Sequence, residues 1–189
     1  MIDAKFYLRK RYILKRKKNH LKVKKFNFNL IYKLINKVFS NNKIIIGSYY
    51  PSNYEVNILS FIEKIEKRKF KISLPVTKSS GKMTFRTWAF NEPLYLSSFG
   101  TLEPNKLNKE IIPDLVLVPL VVFDNKLNRI GYGKGYYDRY LKKIRKIKKK
   151  SIFLGIAYSF QKYKKVPVNK YDFKLDYILT EQGIISSNK

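Results

Sequence analysis

The sequence predicts a layered α/β fold, with a largely parallel central sheet flanked by helices. Three observations carry this. Apolar runs of strand length alternate along the chain with segments of helical period. One run, Leu115-Val116-Leu117-Val118-Pro119, is apolar at consecutive positions, as in a strand covered on both faces. With the glycine-rich run from Asn128 to Asp138 downstream of it and the helical spacing from Tyr136, it reads as a strand, a glycine-rich loop and a helix start.

The elements follow in order. Asp3 can cap a helix that runs to about Lys18. A second helix is expected over Phe28–Phe39, with Leu30, Ile31, Leu34, Ile35 and Val38 on one face, broken by Asn41-Asn42. Lys43–Tyr49 is a strand with Ile44-Ile45-Ile46 buried. Glu55–Lys67 is helical, and Val56, Leu59, Ile62, Ile65 and Glu66 make a mostly apolar stripe. Phe70–Leu74 is the next strand. Lys82–Trp88 alternates, as an antiparallel or edge strand does. Residues 91–113 contain Pro93, Pro104 and Pro113 and few periodic apolar positions, so a long loop is expected; long ordered loops often carry function. Leu115–Val118 resumes the sheet. Tyr136–Ile147 has helical spacing with Lys and Arg toward its far end, and Ile152–Ala157 and Tyr177–Leu179 complete the strands. No internal repeat is present. One domain over residues 1–189 is the natural expectation. A chain of this size buries roughly 70% of its unfolded surface, enough for a sizeable core.

Composition narrows the chemistry. There is no cysteine, which excludes disulfides, thiolate metal sites and cysteine nucleophiles. The single histidine, His20, stands among lysines and reads as a solvated helix residue. Catalysis must therefore use Lys, Arg, Asp, Glu, Tyr and a bound ion. The formal net charge is +28. Lys, Ile, Asn, Tyr and Phe are abundant while Ala and Gly are scarce, the pattern of A/T-rich codons. Lysine outnumbers arginine, which is the better base reader. The charge is thus expected to be compositional, with no specific nucleic-acid partner. No apolar segment reaches membrane-spanning length, so no membrane association is expected. The N-terminus lacks the apolar core of a signal peptide.

The segment Arg129-Ile130-Gly131-Tyr132-Gly133-Lys134-Gly135-Tyr136-Tyr137-Asp138 is the most informative in the chain. Glycines let backbone N–H groups close on a ligand, and a helix N-terminus adds partial positive charge. Lys134 and Arg129 add full charges, so the segment reads as a phosphate cradle. No Gly-Lys-Ser/Thr follows, as a Walker loop would require, and the glycine spacing is not that of the dinucleotide fingerprint.

These residues resemble the 5-formyltetrahydrofolate cyclo-ligase (methenyltetrahydrofolate synthetase) family. The likeness covers Asp114–Asp124 and the following NRIGYGKGYYDRYL run. It extends to Lys5-Phe6-Tyr7-Leu8-Arg9, Tyr49-Tyr50-Pro51 with Glu55, Phe85–Trp88, Phe99–Pro104, and Val166-Pro167-Val168 with Asp172 and Asp176. The resemblance implies a fold akin to the phosphosugar-isomerase and CoA-transferase group. It implies a reaction in which ATP phosphorylates the formyl oxygen of 5-formyltetrahydrofolate. The second folate nitrogen then attacks the activated carbon, and 5,10-methenyltetrahydrofolate, ADP and phosphate leave. ATP is a co-substrate, Mg²⁺ the cofactor, and the folate can carry a polyglutamate tail.

By resemblance, Lys5 and Arg9 contact ATP, and Arg9 also approaches the folate. Arg129, Ile130, Gly131, Tyr132, Gly133, Lys134, Gly135, Tyr136 and Tyr137 wrap the nucleotide, with Lys134 and Arg129 the catalytic cations. Residues 132–136 also touch the folate. Asp138 is a metal ligand, and Asp172 is the second, with Asp176 a close rival. Glu55 holds the donor-rich edge of the pterin. Tyr50 and Trp88 pack against its rings. The basic, acid-poor N-terminus leaves an organelle transit peptide arguable, but a cytoplasmic protein is the simplest reading, and a monomer is expected. Because the Lys5/Arg9 match begins near residue 1, no removable presequence is expected. Three positions depart from the family pattern. Asn57 stands where an acid is common, Tyr132 where arginine is frequent, and Leu120 where glycine is frequent. Two other readings compete. A basic RNA-binding protein would show clustered arginines and aromatics on one strand, and no such module is visible. Another phosphate-binding enzyme on a similar fold would keep the loop without needing Glu55 or the N-terminal Lys-x-x-Leu-Arg.

Overall fold

The structure, a computed structural model, describes residues 4–23, 25–40 and 44–187. Asp3, Asn41, Asn42 and Lys43, expected to cap the first helix, break the second and open the first strand, lie outside the described residues. Helix α1 is Ala4–Asn19 and α2 is Asn29–Val38. Strand β1, Ile45–Gly47, leads through a loop to α3, Leu59–Lys67, and then to β2, Lys71–Thr77, and β3, Met83–Thr87. Three two-residue strands follow: β4, Tyr95–Leu96; β5, Leu102–Glu103; and β6, Glu110–Ile111. Strand β7, Leu115–Pro119, precedes a small hairpin of β8, Val122–Phe123, and β9, Arg129–Ile130. Helix α4 is Tyr136–Ile147. Strands β10, Ile152–Ile156, β11, Tyr177–Thr180, and β12, Gly183–Ser186, end the chain.

The main sheet has the order β12-β11-β10-β7-β1-β2-β3-β6. Its five central strands, β11 to β2 in that order, are parallel, and the three outer pairings are antiparallel. The expected layered α/β architecture is present, with an antiparallel pair at one margin and a single antiparallel strand at the other.

Strand β7 shows why the sequence folds this way. Leu115 and Leu117 join the core beneath α2 and α3, together with Ile46, Ile62 and Ile65. Val116 and Val118 join the opposite core beneath α4, with Leu141, Ile144 and Phe153. Alternate side chains point to opposite faces, and both faces are covered, so every position from 115 to 118 must be apolar. A third, smaller core sets Leu8 and Tyr12 of α1 against Val121, Val122, Ile130 and Val166.

Several local expectations are corrected. The helix expected over Glu55–Lys67 begins at Leu59. Asn53 and Tyr54 have positive φ, 48° and 62°, and Asn57 Oδ1 accepts the Leu59 N–H, so the chain turns before the helix starts. Val56 and Ile58 are buried from that turn rather than from a helical stripe. Glu66 is half-buried and accepts the Phe90 N–H at 2.8 Å. Strand β2 runs three residues further than expected, to Thr77. The long loop over 91–113 contains β4, β5 and β6. The glycine loop follows β9 of the small hairpin rather than a strand of the main sheet. Among the described residues, no helix is long and apolar enough to cross a membrane.

Candidate active site

A cleft of about 550 Å³ opens where the glycine loop, the chain after β1, the end of β2 and the N-terminal part of α1 meet. Its size suits small-molecule ligands. Every predicted site residue except Trp88 lines it: Lys5, Arg9, Tyr50, Glu55, Asp172 and the whole run from Arg129 to Asp138. Trp88 is the correction. It is 4% exposed within the main core, and its Nε1 donates to the Glu92 carbonyl at 3.0 Å. Its indole already has a partner and a packed environment, so nothing of it reaches the cleft. Asp176 also stands apart. It pairs with Arg145 and accepts the Phe153 N–H, which ties the chain before β11 to the end of α4 and to β10.

The glycine loop is held from two sides. Arg9 of α1 donates Nε to the Gly131 carbonyl at 2.8 Å. A Cβ on Gly133 would lie 3.1 Å from the Arg9 guanidinium, and Gly133 has φ +98°, so only glycine suits this position. On the other side, Arg139 donates to the Lys134 carbonyl at 2.9 Å and to Gly81 of the β2–β3 turn. Gly135, at φ +66°, is the N-cap of α4 and provides no side-chain cap. The first N–H groups of α4 thus face the cleft region without a capping side chain, as an anion site requires. Lys134 is exposed, and its Nζ lies 3.9 Å from the centroid of the Phe99 ring. Phe99 belongs to the β4–β5 turn.

The two candidate metal-side carboxylates meet here. Asp138 accepts Arg129 Nη2 at 2.9 Å and the Phe173 N–H at 3.0 Å, both on Oδ1. The residue before Phe173 is Asp172, which pairs with Lys5 and accepts the Asn169 N–H at 2.6 Å. Each acid is thus matched to a cation in the ligand-free protein. Arg129 is 5% exposed and its Nε has no hydrogen-bond partner among the described residues. Its charge is committed to Asp138 beneath the loop.

Glu55, the acid expected to hold the folate, lines the same cleft. It is 8% exposed, in the turn before α3. Its Oε1 accepts the Tyr132 hydroxyl at 2.6 Å, and its Oε2 accepts the Ser52 N–H at 2.9 Å. The Tyr132 hydroxyl in turn accepts a hydrogen bond from Arg16 Nη2. Arg16, 1% exposed, also donates to the Leu120 carbonyl. Sequence reasoning missed Arg16 because α1 is so rich in Lys and Arg. The available signal was the spacing Leu8, Tyr12, Arg16, one residue per turn on the buried face. The departure at position 132 acquires a function from this contact: the tyrosine relays a buried arginine to Glu55.

Burial raises the Glu55 carboxyl above the ordinary glutamate range, while hydrogen bonds from Tyr132 and Ser52 and the charge of Arg16 pull it down. Burial also drives the Tyr49, Tyr132 and Tyr137 hydroxyls well up, so all three stay neutral; of these, Tyr132 donates to the carboxyl and Tyr49 to the Val56 carbonyl. Because the folded-state value of Glu55 is raised, its protonated form favours the fold. That contribution is complete below the ordinary glutamate range and is lost as pH rises through the raised value. Arg16→Met should raise it further. The variant should therefore lose more stability relative to wild type at about pH 8 than at about pH 4. Unfolding curves at the two pH values check this, and an equal loss at both would show that Arg16 acts by packing alone.

No histidine or cysteine is among the described residues that line the cleft. Its groups can align ligands and neutralise negative charge.

The model of the 5-formyltetrahydrofolate cyclo-ligase family matches residues 2–181. The chain is 33% identical over 186 residues to a 5-formyltetrahydrofolate cyclo-ligase of Mycoplasma genitalium, covering 95% of this chain and 98% of the relative. It is 31% identical over 145 residues to a probable 5-formyltetrahydrofolate cyclo-ligase of Schizosaccharomyces pombe, covering 69% and 71%. Its fold is similar to that of a 5,10-methenyltetrahydrofolate synthetase from Mycoplasma pneumoniae, with TM-score 0.70, 26% identity and coverage of 94% and 99%. A synthetase of the same name from Aquifex aeolicus gives TM-score 0.72, 26% identity and coverage of 98% and 93%.

Proposed function

The chain belongs to the 5-formyltetrahydrofolate cyclo-ligase family, and we propose that it converts 5-formyltetrahydrofolate to 5,10-methenyltetrahydrofolate at the expense of ATP. The observation that carries this reading is that one cleft brings together two chemically different parts. One is a glycine loop with Lys134, backed by Arg9 and the uncapped start of α4. The other is the buried Glu55 among tyrosines. The first suits phosphates, and the second suits a heterocycle with N–H groups.

In this reading, Lys134 neutralises the phosphoryl group that passes from ATP to the formyl oxygen. Arg9 holds the loop closed around the nucleotide. Glu55 orients the folate so that its second nitrogen faces the activated carbon; that nitrogen forms the new C–N bond as phosphate departs. In this reading the nucleophile belongs to the substrate. Asp138 and Asp172 fit a Mg²⁺ site of the usual kind, in which one or two carboxylates share the ion with substrate phosphates. When bound, the ion would neutralise phosphate charge. Arg129 and Lys5 keep the two carboxylates compensated in its absence.

Purified protein should form methenyltetrahydrofolate, followed by its absorbance, with one equivalent of ADP, and only when both ATP and Mg²⁺ are present. Well-folded protein that yields no product from 5-formyltetrahydrofolate would overturn the reading.

A further inference from the structure

The cleft wall holds a second buried carboxylate, Glu103, to which the preceding reading gives no task. Glu103 ends β5 and is 4% exposed. Its Oε1 takes three donors: the Thr77 N–H at 3.1 Å, Thr77 Oγ1 at 2.6 Å and Thr101 Oγ1 at 3.4 Å. Among the described residues no donor reaches Oε2, and that oxygen is not sealed inside the protein. No Lys or Arg pairs with Glu103 among the described residues. The other two buried acids among them, Glu55 and Asp124, also lack an ion pair, but each has a donor on both of its oxygens. Glu103 Oε2 is therefore open to a donor that enters the cleft.

The surroundings indicate what it faces. Glu103 borders the cleft beside Pro75, Met83, Phe99 and Leu102, all apolar. It also borders a shallower depression lined by Ser97 and Lys106. Among the described residues no cluster of acids or histidines could make this a cation site. Glu55, by contrast, has a hydrogen bond on each of its oxygens already.

We propose that Glu103 Oε2 is a specificity-determining acceptor for an amino or ring N–H group of a planar nitrogen heterocycle lying against Leu102 and Phe99. The inference rests on the cleft binding a folate and a nucleotide. Both ligands carry such an edge, the pterin of the folate and the adenine of ATP, and the experiment separates them.

Glu103→Gln tests it with little change of shape. The donors from Thr77 and Thr101 hold the amide oxygen on their side, so the NH₂ group faces the ligand, donor against donor. The variant and wild type are titrated separately with 5-formyltetrahydrofolate and with ATP, and each is unfolded thermally. One ligand should bind roughly tenfold or more weakly, with the other and the unfolding midpoint unchanged. Weakening of the folate alone identifies the pterin, and of ATP alone the adenine. A companion measurement needs no variant. Wild type should discriminate against ITP, or against a folate lacking the 2-amino group, and Glu103→Gln should lose that discrimination. Unchanged affinity for both ligands, equal weakening of both, or weakening that tracks a lowered unfolding midpoint overturns the proposal. Wild-type protein that binds neither ligand overturns the function it rests on as well.

Discussion

Replacing Lys134 by alanine should lower turnover at saturating ATP roughly a hundredfold while leaving the fold nearly intact. A cation aimed at a transferring phosphoryl group in a partly desolvated site supplies about 3 kcal/mol of transition-state stabilisation. Lys134 sits between Gly133 and Gly135, both at positive φ, in a loop clamped by Arg9 and Arg139. Those clamps use backbone carbonyls, so they survive loss of the side chain. The one contact removed is the one with the Phe99 ring, worth about 0.5–1 kcal/mol at an exposed position. Turnover and an unfolding curve, measured on the same preparation, separate the two effects. Near-normal turnover, or a loss that merely follows unfolding, would make the loop a structural turn and place the nucleotide elsewhere.

Substitution of Asp138 should behave differently, because this acid has two tasks. Its side chain is 20% exposed, and its partner Arg129 is 2% exposed. Removing one member of such a pair leaves a buried charge uncompensated, at a cost of about 3 kcal/mol. Asp138→Ala should therefore be both inactive and clearly destabilised. Asp138→Asn retains an oxygen for Arg129 and the Phe173 N–H, so it should lose less stability. Its activity should fall all the same, and raised Mg²⁺ should recover part of it if the carboxylate supports the ion. The double variant Arg129→Met/Asp138→Leu removes both charges and should regain most of the lost stability while staying inactive. An active double variant would reduce the pair to a structural role.

The placement of these groups shows how far local sequence reaches. Periodicity was enough to identify β7, α2 and α4, because each pattern is written in neighbouring residues. The glycine loop was legible for the same reason: its glycines, Lys134 and Asp138 lie within a few residues of one another, and their backbone demands are local. The turn before α3 was harder. Glu55 and Val56 have the spacing of a helix, and the positive φ values at Asn53 and Tyr54 follow from where the chain must cross the cleft. Trp88 looked like a ring for a ligand until the core closed over it and Glu92 took its N–H.

What the sequence by itself determined was therefore the layered α/β architecture, the loop and the candidate cations and acids around it. Tertiary structure alone decided which charges those groups face. Arg16 meets Tyr132 across 116 positions, Tyr132 meets Glu55 across 77, and Thr77 meets Glu103 across 26. In a chain this basic, any acid could have paired with any of 41 cations. The choice among them is made by burial: a buried charge is tolerated only beside a partner of the right geometry, and which partner arrives depends on how distant segments pack.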